Sequence, residues 1–185
     1  MRAVELYTNN SWLQNIDDVI NTCAKYSLQY AIHAPSKGYE PEGLFILAEQ
    51  IGTKIIVFHS IYWDDEWEYI VKRFKTLPCK LCIENTYGAV KPIKYMRRFG
   101  IGRCLDLEHL ILEVNGIFEE PFFDLMKESS HIHMTGYTLG GKFWHTPLHY
   151  APEPKHLFVK YAQKSWLFRI CRLRGDGAVS NSRIV

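Results

Sequence analysis

Five times along this 185-residue chain a short apolar run stops on a histidine or an acid. YAIHAP stops on His33, IIVFHS on His59, KLCIENTYG on Glu84, GRCLDLEH on Asp106 and HIHMTG on His133. The runs are dominated by Ile, Leu, Val and Cys and lack the strict alternation of a strand with one wet face. That is how strands buried on both sides of a parallel sheet read. The stops fall roughly 22 to 27 residues apart, enough for one strand plus the crossover helix that a parallel neighbour requires. Strand and helix therefore alternate around a parallel sheet. Because every strand runs the same way, all five stops lie at the same end of it.

The stretches between the runs carry helix periodicity. Ser11 is placed to cap a helix running to about Tyr26, with Ile16, Val19, Ile20 and Cys23 at helical spacing. Pro41 opens a helix that carries Leu44, Leu47, Ala48 and Ile51 and ends at Gly52. Asp64 and Asp65 begin one with Trp67, Ile70, Val71 and Phe74 on one face, and another runs from about Val90 to Gly100. With Arg2–Thr8 in front and Ala178–Val185 behind, about seven strands are expected. The predicted fold is α/β: one domain over 1–185, a TIM-type (β/α) barrel, incomplete, with its active end at the C-terminal ends of the strands. An open doubly wound sheet fits less well, since no glycine-rich phosphate fingerprint follows the first strand.

Imidazole and carboxylate together suit Zn, Mn or Fe(II). His33, His59 and Glu84 end three successive strands and can face one ion. Glu84 has two oxygens and can bridge to a second ion held with Asp106 and His133. His109, three residues past Asp106, and His145, in FWHTPLHY, can hold a third ion or orient substrate. A cluster of one to three Zn or Mn ions polarises a phosphoryl or carbonyl oxygen and yields hydroxide near neutral pH. Taken singly, each histidine reads as a hydrogen-bonded structural residue and Glu84 as an ion-pair partner; their shared position in five units is what points to metal. His131, on the face of His133 but deeper, reads as a packed histidine. Tyr7, Trp63, Tyr87 and Trp144 fall in strand-end loops, where aromatic rings can line a pocket for a sugar or base.

Composition narrows the partners. A net charge of +2 supplies no field for nucleic acid, and the locally basic Arg169, Arg172, Arg174 and Arg183 read as a solvated helix face. No apolar run approaches the ~20 residues of a membrane span, and the N-terminal residues have no signal-peptide core. Five cysteines, an odd number scattered through apolar segments, suggest reduced thiols in a cytoplasm. Cys79 and Cys82 form a CxxC without a second pair, and in a strand the two thiols point to opposite faces.

HAP with His33, HS with His59, IENT with Glu84, CLDLEH with Asp106 and His109, HIHMTG with His133 and WHTP with His145 together resemble the xylose isomerase-like TIM-barrel superfamily. That group includes endonuclease IV and sugar-phosphate isomerases and epimerases. The resemblance runs over essentially the whole chain and lies in the order and spacing of motifs that are individually weak. It implies that His33, His59 and Glu84 match the first metal site of endonuclease IV, and Glu84, Asp106 and His133 most of the second. His109 and His145 match two ligands of the third. In the isomerases and epimerases, Glu84, Asp106 and His133 match three of the four ligands of a single ion, and Glu84 also one of two acid/base carboxylates. The chain departs from the pattern in three ways. It begins at the family's second strand, consistent with 185 residues against ~250 for a typical barrel. Ser182, or Asn181 by a one-residue slip, stands where the last strand supplies a glutamate. Phe143 and Gly136 stand where endonuclease IV has aspartates.

Three functions are expected from these readings. The first is a metal-dependent phosphoesterase, with a small phosphorylated substrate favoured over duplex DNA because no basic face is present. The second is a sugar or sugar-phosphate isomerase or epimerase, which the missing last-strand carboxylate weakens, with Ser182 left at most to bind substrate. The third is a non-catalytic barrel that keeps a metal or ligand pocket. An open barrel edge further suggests a homodimer.

Overall fold

A computed structural model of the protein describes residues 2–85, 90–113, 128–133 and 171–172. Six strands alternate with helices: β1 (Ala3–Tyr7), α1 (Asn10–Gln14), α2 (Ile16–Cys23), β2 (Gln29–His33), α3 (Pro41–Gln50), β3 (Ile55–Phe58), α4 (Asp64–Phe74), β4 (Lys80–Glu84), α5 (Val90–Phe99), β5 (Gly102–Asp106), α6 (Leu107–Glu113) and β6 (His131–His133). The strands are hydrogen-bonded in sequence order and every pairing is parallel. Cys171–Arg172 adds a two-residue parallel pairing beyond β6, opposite Ile132 and His133. The last expected strand, Ala178–Val185, lies outside the described residues. Among the described residues no helix is long and apolar enough to cross a membrane.

Strand alternation sorts the side chains onto two faces. Ile32, Ile56, Phe58 and Ile83 point outward into the main core, where Leu44, Leu47, Ala48, Trp67, Ile70, Phe74 and Tyr95 of the helices cover them. The intervening positions point the other way. Val57, Cys82 and Cys104, with Ile55 against them, form a separate small apolar cluster on that second face. The CxxC is divided as expected, with Cys82 in the second cluster and Cys79 packed against the first.

The second face is concave. In a flat sheet, β1 and β6 would stand about 24 Å apart, five interstrand spacings. Instead Glu5 of β1 touches His131 of β6, with Oε2 2.6 Å from Nε2. The six strands therefore curl into a half-barrel with the helices outside. The pairing register is stepped. His33 pairs with Val57, two residues short of His59, and Glu84 pairs with Cys104, two short of Asp106. His59 and Glu84 each follow the paired Phe58 and Ile83 by one residue, and Asp106 pairs directly with His133. A stepped register of this kind tilts strands against a barrel axis.

The helices end where the turn residues dictate. Gly52 and Gly100 take positive φ, +61° and +66°, just past α3 and α5, the left-handed conformation that only glycine adopts without cost. Pro41 opens α3 as expected. The first helix differs from the sequence reading: it is two short helices, and the cap is Asn9 rather than Ser11. Asn9 accepts a bond from the Trp12 N–H, while Asn15 leaves helical geometry and its Nδ2 donates to the Ser11 carbonyl. An asparagine side chain competes in this way with the helical backbone for its partners.

Candidate metal centre

Glu84 is the last residue of β4 and is fully buried. Its two oxygens are divided between two sets of side chains. Oε2 lies 2.9 Å from His33 Nε2 and 2.8 Å from His59 Nε2. Oε1 lies 2.7 Å from His133 Nδ1 and 3.9 Å from His109 Nδ1. His33 ends β2, His59 follows β3 by one residue, and His133 ends β6. Three of the expected strand-end residues, His33, His59 and His133, are thus drawn to the carboxylate of a fourth. Rings stack around it: His33 and His133 are 5.5 Å apart, centroid to centroid, and His33 and His59 meet edge-on at 4.8 Å.

The β5 end is held by a short network. Asp106 is fully buried, and Oδ1 accepts the backbone N–H of His109. Asn85 clamps the same turn, its Oδ1 accepting from Asp106 N at 2.6 Å and its Nδ2 donating to Asp106 O. His109 donates Nδ1–H to the carbonyl of Asn85 at 2.8 Å, which leaves Nε2 as the acceptor nitrogen of that ring. The IENT asparagine therefore positions both the acid and the histidine of the following motif.

The electrostatics favour a cation. His33 Nδ1 faces the Ala34 carbonyl at 2.8 Å, and a carbonyl only accepts, so Nδ1 carries the proton. Burial lowers the His33 pKa to about 4, against the opposing pull of Glu84. A neutral His33 then turns the bare lone pair of Nε2 on a carboxylate oxygen 2.9 Å away. Two lone pairs at that distance repel unless a cation lies between them. Among the described residues two further buried atoms lack a hydrogen bond: His59 Nε2 is out of hydrogen-bonding geometry despite its 2.8 Å approach to Oε2, and Asp106 Oδ2 comes no closer than 3.7 Å to His133 Nδ1. Buried polar atoms are seldom left unsatisfied. Both the donor chemistry and these orphans fit a metal ion. Two overlapping groups, His33–His59–Glu84 and Glu84–Asp106–His133, each bring three ligand atoms within 4.8 Å of one another.

His133 behaves differently from His33. Burial alone lowers its pKa, but Cys104, Glu5 and Glu84 outweigh this and hold it well above 6.5. Nδ1 faces Glu84, and Nε2 faces both oxygens of Glu5 at 3.1 and 3.2 Å. Glu84 and Glu5 are correspondingly held well below the ordinary carboxylate value: burial pushes each up, and the His133 charge with the surrounding histidine hydrogen bonds more than reverses it.

Tyr7 stands beside the centre, its ring 4.8 Å from that of His33 and its hydroxyl on Ser36 Oγ. Trp63 is 76% exposed before α4 and is not buried with the cluster. Tyr87, Trp144, His145 and Ser182 lie outside the described residues. Glu5 is the site residue that sequence reasoning missed, because attention to strand ends passes over a carboxylate in mid-strand. Its trace is present in VELY: Glu5 has the parity of Tyr7 and is flanked by the outward Val4 and Leu6. His131, read as a packed histidine, is indeed buried, and it is bonded to Glu5.

No protein-family model matches this sequence, and no curated protein matches it.

Proposed function

We propose that the concave end of the half-barrel holds a dinuclear Zn or Mn centre bridged by Glu84, and that the protein hydrolyses phosphoesters of small substrates. One observation carries this reading: the two oxygens of a single buried carboxylate are shared between two separate histidine sets. His33, His59 and Glu84 would hold one ion, and Glu84, Asp106 and His133 the other. Bound there, divalent ions supply Lewis acidity toward a phosphoryl oxygen and lower the pKa of water toward neutrality. The protein's part is placement. Glu84, Asp106 and His133 have no solvent exposure, while the side chains of His59 and His109 are 15% and 13% exposed, so substrate approaches along those two. His109, with Nδ1–H fixed on Asn85, presents the Nε2 lone pair as a general base, set to take a proton from the attacking water. Tyr7 offers a half-open ring wall for the organic part.

We read the scaffold as a shortened TIM-type barrel of about seven strands. The register supports it, stepping by two residues at β2–β3 and by two at β4–β5. A complete eight-stranded barrel of this kind accumulates a shear of about eight residues around its circumference, or about four such steps. A second reading, a sugar isomerase or epimerase, gains from Glu5. It places a further buried carboxylate on the concave face, beside Glu84 and Asp106, where the chemistry calls for a second base.

The test is metal content followed by product analysis. Two equivalents or more are expected in the wild type, falling to one or none in Glu84→Ala, with free phosphate released from a panel of sugar phosphates. One equivalent, with an isomer as product, transfers the assignment to the isomerase. No metal under any loading condition overturns the centre itself.

A further inference from the structure

We propose that the inner part of the half-barrel, one layer below the Glu84 centre, is a separate site for a thiophilic cation such as Zn2+. Cys104 and His131 are its donors, His133 is the third, and Glu5 is the carboxylate that orients His131. Cys104 lies two residues before Asp106 on β5, and His131 two before His133 on β6, so both face inward one layer down. They are also direct register partners. Ligand atoms of Cys104, His131 and His133 lie within 4.8 Å of one another.

The orientation of His131 is the second and independent observation. Its side chain is 1% exposed, and Nε2 is 2.6 Å from Glu5 Oε2. With Nε2–H donated to that carboxylate, Nδ1 is left with a lone pair. Nδ1 is buried and, among the described residues, has no hydrogen-bond partner. A metal-binding histidine characteristically donates its other ring N–H to a carboxylate, which fixes the tautomer and makes the free nitrogen more basic. A merely packed histidine would have its second nitrogen satisfied or turned to water. Glu5 is itself fully enclosed, with no side-chain exposure, and its two oxygens are spent on His131 and His133. A buried carboxylate reaching across from β1 to β6 to hold two rings, beside a fully buried thiol, exceeds what packing requires. A sulfur and two imidazoles make a soft donor set suited to Zn, unlike the oxygen-rich centre above it. When the cation binds, the S–H bond breaks, the proton passes to solvent and the sulfur donates its electron pair to the metal.

The site shares only His133 with the upper centre and does not rest on the hydrolytic reading. A neutral imidazole has one lone pair, so His133 is free for the inner cation once Glu84 no longer engages it, and Glu84→Ala isolates the inner site. The experiment is titration of Glu84→Ala with Co2+, followed by absorption spectroscopy. About one cobalt with a thiolate-to-cobalt charge-transfer band is expected. The band should vanish in Glu84→Ala/Cys104→Ser and persist in Glu84→Ala/Cys82→Ser, since Cys82 faces inward outside the donor group. Cobalt bound without a thiolate band, or no cobalt bound at all, overturns the inner site. Neither result touches the upper centre, which is read separately from the metal that the wild type binds and Glu84→Ala loses. Should Glu84→Ala fail to fold by circular dichroism, Glu84→Gln keeps the side-chain volume and serves the same titration with the same outcomes.

Discussion

On β2, Ile32 and His33 are neighbours in the chain and belong to opposite faces of the sheet. Ile32, with Ile56, Phe58 and Ile83, is sealed under Trp67, Phe74 and Tyr95. His33 looks the other way, toward Glu84, where the apolar cluster among the described residues is Val57, Cys82 and Cys104 with Ile55. Buried apolar area stabilises the fold at about 25 cal/mol per Å2, and among the described residues the larger apolar cluster lies on the convex side. The concave side buries Glu84, Asp106, three histidines and the side chain of Glu5, groups whose desolvation costs several kcal/mol each unless they are paired. One sheet therefore has a face that holds the molecule together and a face that stores unsatisfied chemistry. The first makes the second tolerable.

The largest expected effect is on the convex face. Trp67 is fully buried among Phe58, Tyr62 and Tyr95, at ring distances of 5.3 to 5.7 Å. Trp67→Ala should cost about 3–5 kcal/mol, the range for deleting a large core aromatic. It should leave metal per folded molecule unchanged, since no concave residue is involved. Urea unfolding and metal analysis on the same sample read both. A drop in metal content per folded molecule would show that the two faces are not separable.

The concave face should show itself in pH dependence once metal is removed. The folded protein holds His33 at about 4 against an ordinary 6.5. Between those values the unfolded chain takes up a proton that the folded chain refuses, so stability falls as pH falls, by on the order of 3 kcal/mol. Glu5 and Glu84, depressed below 4.5, add a further loss as acid passes through their folded values. His133 acts oppositely. Its folded value is raised, so its contribution is complete below 6.5 and is lost as pH climbs through that raised value. The metal-free protein should therefore be most stable around pH 6.5, with limbs falling on both sides. Denaturant midpoints across pH after chelation test this, and His33→Gln should flatten the acid limb. Stability that keeps rising into acid would refute the neutral His33 on which the cation argument depends.

The convex face was the more legible of the two in the sequence. A strand buried on both sides must be apolar along its length, so the runs ending at His33, His59, Glu84, Asp106 and His133 announced themselves, and the helices between them carried their own spacing. The strand-end residues were legible for the same reason, because a carboxylate or imidazole closing an apolar run has few structural uses. The curl was expected, as an incomplete barrel, but its degree was not legible. It is fixed by Glu5 meeting His131 and His133, residues 126 and 128 positions apart, and no local pattern encodes a contact of that range. Glu5 was missed because its role follows from the curl. The division of the first helix was missed because Asn15 reads as an ordinary polar helix residue until its side chain is seen bonded to Ser11.

The smallest effect sharpens the contrast. Cys82 is fully buried in the concave apolar cluster and belongs to no ligand group. Burial pushes its thiol pKa up to about 12, so it stays a neutral, small hydrophobe at working pH. Cys82→Ala removes one sulfur-sized group, and the cost should be about 1 kcal/mol, near that of a buried methylene. That is well below the Trp67 effect although both side chains are inaccessible to water. Its neighbour across the β4–β5 pairing region, Cys104, is equally buried and belongs to the same apolar cluster, so Cys104→Ala should cost a similar amount in metal-free protein. In the Glu84→Ala background with zinc present the two should part: Cys82→Ala keeps the zinc-induced rise in denaturant midpoint, and Cys104→Ala loses it. Equal behaviour with and without zinc would mean that the concave face treats both sulfurs as packing, and that Glu84 alone organises whatever metal the barrel holds.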